Sequence, residues 1–192
     1  MTFNESGLEF NFGKGWVVKK YDEHAYFRSL SGMGLKGVDF IAIRDQQELI
    51  FIEVKNYRTR YNPEMDRSFD VAAKPAAELA YELKRKSEDT LLAIDAVLQY
   101  YRRSWWYRRL RNLWMRWPWL QHNRAFWSRA DELANHHLHY VVWLALDFDD
   151  PENYEEELLF HLNLMQIEAV DRISIANGKH SPFGDEVRVV VP

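Results

Sequence analysis

Residues 37–60, GVDFIAIRDQQELIFIEVKNYRTR, constrain the fold more than any other stretch. They hold two short apolar runs, 38–43 and 49–54, separated by the polar residues 44–48. Both runs are rich in Val, Ile and Phe, which predicts two paired strands of a hairpin. Side chains alternate across a strand, so Leu49, Phe51, Glu53 and Lys55 share one face and Ile50, Ile52 and Val54 the other. A loop of Asp45, Gln46 and Gln47 centres the hairpin on Gln46 and sets Asp39 opposite Glu53; a four-residue loop would shift every pair by one. Directly opposed residues bring their Cβ atoms to roughly 4.5–5.5 Å, where like charges repel. Two carboxylates held so need a proton, a lysine or a metal ion. Lys55 is next door, and a hard divalent cation with oxygen ligands would complete the arrangement.

Asp39 and the tripeptide Glu53-Val54-Lys55 resemble the PD-(D/E)xK nuclease superfamily, whose pattern is an acid on one strand, a short hairpin, then (D/E)-x-K ending the next strand. The resemblance covers about the first half of the chain. An acid two residues before a lysine is common by chance, so the weight rests on the upstream Asp in facing register. Val38 stands where the superfamily's name has proline. The resemblance implies an α/β (α+β) fold with a restriction-endonuclease-like core, a central mixed β-sheet flanked by helices. It also implies a metal-dependent nuclease that hydrolyses phosphodiester bonds of nucleic acid, DNA ahead of RNA. Asp39, Glu53 and Lys55 would be catalytic, and Asp39, Glu53 and the carbonyl of Val54 would hold Mg²⁺ or Mn²⁺. Lys55 would orient or deprotonate the attacking water, or stabilise transition-state charge. A helix before three antiparallel strands would supply a further acid, with Glu5, Glu9, Asp22 and Glu23 as candidates. A later helix would supply polar support, for which Lys86 is the candidate.

Elsewhere, residues 8–12 alternate like a strand and 13–15 read as a turn. Residues 16–21 suit a helix or a strand, and 25–30 look strand-like. Arg58 and Arg60 follow Lys55 where a phosphate backbone would pass, although solvated loop arginines are an equal reading. A polar loop is expected through Lys74. Pro75 then opens a long helix with Leu79, Leu83, Thr90, Ile94, Leu98 and Tyr101 at helical spacing. Residues 140–146 form a continuous apolar run, expected as a strand buried on both faces. Residues 155–170 read as a helix and 187–191 as a closing strand. His137 and His139 would share a strand face and could ligate zinc, but the sequence offers them no evident acid.

A second unusual stretch is 102–129, with eight arginines, six of the eight tryptophans and no acid. The net charge is −4, so the remainder carries −12 and the chain is a basic patch on an acidic body. Residues 102–137 read as a helical insertion in a single domain spanning 1–192, with Pro118 expected to end a helix. Arg108, Arg109 and Arg111 could contact phosphates while indoles stack on bases. Alternatively, Trp106, Leu110, Leu113 and Trp117 form a stripe that would pack on the domain or on a second copy in a homodimer. A membrane-surface helix is the third reading.

No apolar run reaches the ~20 residues that span a bilayer, and the first ten residues lack a basic-then-apolar leader pattern. The absence of cysteine excludes disulfides, thiolate catalysis and Cys-ligated zinc, and suits a cytoplasmic protein. Glycine-loop, serine-elbow and His-Glu-x-x-His signatures are missing. The rival to a nuclease is a non-catalytic nucleic-acid-binding or assembly protein of the same fold, with Asp39, Glu53 and Lys55 as a sheet-edge ion-pair cluster.

Overall fold

A computed structural model describes residues 1–21, 23, 34–62, 66–69, 71–103 and 118–190. The hairpin predicted from residues 37–60 is its centre. Strand β4 (Phe40–Arg44) pairs antiparallel with β5 (Glu48–Asn56) through Phe40↔Ile52, Ile41↔Phe51 and Ala42↔Ile50, the register centred on Gln46. The turn works because Asp45 and Gln46 take positive φ (48° and 61°), which Asp tolerates better than most residues, and Gln47 N–H donates to the Arg44 carbonyl at 2.9 Å.

Around the hairpin a five-stranded mixed sheet runs in the order β3-β4-β5-β8-β9. β3 (Trp16–Lys20) is antiparallel to β4, which settles residues 16–21 as strand. β8 (Leu138–Ala145) is parallel to β5 and buried along nearly its whole length, as its apolar run predicts. β9 (Arg172–Ala176) is parallel to β8. A second sheet, ordered β1-β2-β10, joins β1 (Thr2–Glu5) and β2 (Leu8–Phe12) to β10 (Val187–Val190) at the far end of the chain. The expected polar loop before Lys74 instead contains a ribbon of β6 (Arg60–Asn62) and β7 (Arg67–Phe69).

Among the described residues there are three α-helices: α1 (Ala76–Arg103), α2 (Pro118–Ala134) and α3 (Pro151–Leu164). Pro118 begins a helix where the sequence suggested an end. Proline lacks an N–H, and the first helical position needs none. The expected helical insertion over 102–137 ends, among the described residues, with α2 at Ala134. Helix α3 starts earlier and stops earlier than 155–170, because Asp150 accepts from Asn153 N–H as N-cap, and Gln166 (φ 45°) and Ala169 (φ 63°) leave helical geometry. No helix precedes β3 in residues 1–21; those residues make strands instead.

The central sheet is the middle of three layers. Leu49 and Phe51 pack with Ile41, Tyr140 and Val142 against Leu79, Leu83 and Ile94 of α1 and Leu158 of α3. The other face, with Ile50, Ile52, Val54 and Trp143, packs on Leu8, Phe10 and Phe12 of the small sheet. Both faces of β5 are therefore dry, and the polar residues near its end stand out against that background.

Candidate active site at the end of strand β5

β5 runs past the first residue of β4, and Asp39 sits at the step. Extending the register one pair beyond Phe40↔Ile52 puts Asp39 opposite Glu53. Asp39 Oδ2 accepts the Val54 N–H at 2.7 Å, so the carboxylate continues the ladder where the β4 backbone has ended. Its carbonyl accepts Tyr21 N–H at 3.0 Å. Gly37 is required nearby, since a Cβ there would fall 2.0 Å from the Tyr21 ring.

Glu53 is fully buried on the α1 face. Lys86 Nζ reaches its Oε1 from α1 at 2.6 Å, and Lys55 Nζ reaches the same oxygen at 3.0 Å. Glu53 Oε2 is buried with no hydrogen-bond partner. The structure thus brings together Asp39, Glu53, Lys55 and Lys86. Val54 contributes its amide to the site and turns its side chain to the opposite core.

The electrostatics follow from burial. Desolvation, reinforced by the Glu53 charge and only partly offset by Lys86, pushes the Asp39 carboxyl up to about 7. Burial pulls Lys55 down, but the Glu53 carboxylate and then Glu82 outweigh it, and its ammonium is held above the usual lysine value. Glu82, one helical turn before Lys86, lies 3.9 Å from Lys55 Nζ and 2.8 Å from Lys74 Nζ. Lys74 holds the Glu82 carboxyl below its ordinary value. Neither residue was singled out from the sequence, although Glu82 and Lys86 at i, i+4 beside Leu79 and Leu83 mark one helix face as polar within an apolar stripe.

Of the candidate further acids, Glu5 pairs with Lys20 at 3.0 Å, and its charge also raises Asp39. Glu9 accepts from Asn11 at 2.9 Å and Glu23 lies 3.9 Å from Lys20, while Asp22 is outside the described residues. Arg58 is half-buried just beyond β5, and Arg60 opens β6. Arg108, Arg109 and Arg111, with the rest of 104–117, also lie outside the described residues. His139 does not form a metal pair with the exposed His137. It is buried, its Nε2 lies 2.9 Å from Ser174 Oγ, and Arg172 donates to its Nδ1 at 2.8 Å. The acid that the sequence did not offer is Glu48, 3.5 Å from Nδ1.

Among the described residues no three His, Cys, Asp or Glu side chains gather as a ready cation cage. Two carboxylates do meet, one with a buried oxygen lacking a partner, beside a strand carbonyl at Val54. That oxygen set fits a hard divalent cation. No family model, curated protein or solved structure matches the chain. No helix among the described residues is long and apolar enough to cross a membrane.

Proposed function

We propose that this chain is a metal-dependent nuclease of the PD-(D/E)xK type, hydrolysing phosphodiester bonds of nucleic acid, with DNA ahead of RNA. The observation that carries the reading is Glu53, a fully buried carboxylate whose two lysines both engage Oε1 and leave Oε2 without a partner, beside an Asp39 short of positive charge. A restriction-endonuclease-like core agrees with the antiparallel β3-β4-β5 run, the helical crossover and the parallel β8.

Asp39, Glu53 and the Val54 carbonyl would hold Mg²⁺ or Mn²⁺, which when bound supplies Lewis-acid activation of water and stabilises charge on the phosphate. The remaining work falls to the chain. The Val54 amide holds Asp39 through Oδ2, and its other oxygen would be the cation's ligand. Lys86 fixes Glu53 from the helix. Lys55, held charged between Glu53 and Glu82, would donate to the attacking water or to a phosphate oxygen. Arg58 would position the backbone without reading sequence.

A second reading, a non-catalytic nucleic-acid-binding or assembly protein on the same fold, draws support from the ion pairs themselves: both lysines are already engaged by Glu53. Cleavage of single- and double-stranded DNA and RNA with Mg²⁺, Mn²⁺ or EDTA separates the two. Metal-dependent cleavage lost in Glu53→Gln and Lys55→Ala is the expected result. Binding without cleavage under every condition would favour the second reading, and cleavage persisting in both variants would mark a contaminant.

A further inference from the structure

The stretch leading to Asp39, residues 34–38, belongs to no strand. Asp39 itself is tied to Tyr21 and Val54, and the residues before it are tied to a helix. Val38 N–H donates to Thr90 Oγ1 at 3.0 Å, and Lys36 N–H donates to Asp89 Oδ2 at 3.0 Å. Both acceptors lie on α1, and Thr90 is fully buried. The Thr90 hydroxyl donates in turn to the Lys86 carbonyl at 2.7 Å, and the Lys86 ammonium holds Glu53. One helical turn, Lys86 to Thr90, is therefore hydrogen-bonded to the approach of one site acid at its end and to the other acid at its start.

We infer that Thr90 is a positioning residue for the candidate active site, with the Lys86–Thr90 turn of α1 fixing Asp39 against Glu53. The inference rests on the nuclease reading of that site. A buried threonine in mid-helix commonly does no more than bond the carbonyl four residues back, as it does here to Lys86. The second bond, from Val38, is what the helix itself does not need. It reaches the residue immediately before Asp39, where a shift of the backbone moves the carboxylate directly. Groups that orient metal ligands from behind typically change metal affinity by roughly 10- to 100-fold when removed.

The test is Mn²⁺ binding to the full chain, measured by calorimetry without nucleic acid, for wild type, Thr90→Val, Thr90→Ser and Ile94→Val. Ile94→Val is a control for lost packing on the same helix. Thr90→Val should bind Mn²⁺ roughly 10- to 100-fold more weakly, Thr90→Ser should restore binding to near wild type, and Ile94→Val should not differ from it. If Thr90→Val does not fold, Asp89→Ala, which frees only the Lys36 amide, should show a smaller loss of the same kind. Wild-type affinity in Thr90→Val, or in Asp89→Ala where it replaces it, would overturn the inference, as would equal losses in that variant and Ile94→Val. A wild-type protein that binds no Mn²⁺ would overturn the nuclease reading, and this inference with it.

Discussion

The two ends of β5 each hold a carboxylate among cations, Glu48 half-buried at one and Glu53 fully buried at the other, and they are built differently. At the first residue, Glu48 has a cation beside each oxygen, Arg172 2.8 Å from Oε1 and Arg44 2.8 Å from Oε2, although Oε2, like that of Glu53, accepts no hydrogen bond. His139 beside it, with Arg44 and Arg172, holds the Glu48 carboxyl below its usual value despite burial. At the other end, Lys55 and Lys86 crowd onto one oxygen of Glu53, while Asp39 opposite is driven up to about 7. The first cluster is balanced and ties β5, β8 and β9 together. The second is short of positive charge. Raised carboxylates that burial and a like charge hold together are a mark of functional sites more than of structural ion pairs.

The largest expected contrast is in activity. Glu53→Gln keeps shape and an acceptor for the lysines but removes the charge; it should remove most of the metal-dependent cleavage. Glu48→Gln should leave cleavage within a few-fold of wild type. Initial rates on one substrate, compared at equal folded fraction, decide this.

Cation addition should separate the ends next. Mn²⁺ at about 100 times its Kd stabilises by about 2.7 kcal/mol, which for a chain of this size raises Tm by roughly 5–10 °C. Wild type and Glu48→Gln should both show that rise, and Glu53→Gln should show almost none.

Removing one cation from each end gives a smaller contrast. Lys86→Met leaves the buried Glu53 with Lys55 alone and should cost about 3 kcal/mol in denaturant unfolding. Arg172 is 55% exposed, so Arg172→Met should cost less than ~1 kcal/mol. Equal costs would erase the distinction between a buried site and a surface network.

The smallest effect is the pH dependence, and its sign differs between the ends. The Asp39 carboxyl is raised in the fold, so its contribution to stability is complete below its unfolded value near 3.8 and is lost as pH rises through about 7. Asp39→Asn, which retains an acceptor for Val54, should therefore stabilise the protein at pH 8 by about 1–2 kcal/mol and do little at pH 4. Glu48 is lowered, so its contribution is present above its unfolded value near 4.5 and is lost as pH falls through its lower folded one. Denaturant midpoints of the two Asn and Gln variants across pH should diverge in opposite directions.

The hairpin was legible because period-two alternation and a short polar loop are local signals, and together they set Asp39 and Glu53 face to face. The single helix α1 was legible from its apolar spacing, and Lys86 from the family resemblance. What joins distant segments was not. β1 carries no pattern that announces its partner, and β2 pairs with β10 across almost the whole chain. Pro118 suits both the end of one helix and the start of another, so the sequence alone gave it the wrong side. Thr90 looked like one more position in a helical stripe, since its bond to Val38 exists only once α1 lies over the approach to β4.

The most direct test of a cation-short end is the titration of Asp39 itself, followed by carboxyl carbon NMR with and without saturating Mg²⁺. A metal-free pKa near 7 that falls on Mg²⁺ addition is the expected result. An ordinary carboxylate value in both conditions, unmoved by the ion, would make Asp39 and Glu53 a structural ion-pair cluster and contradict the site.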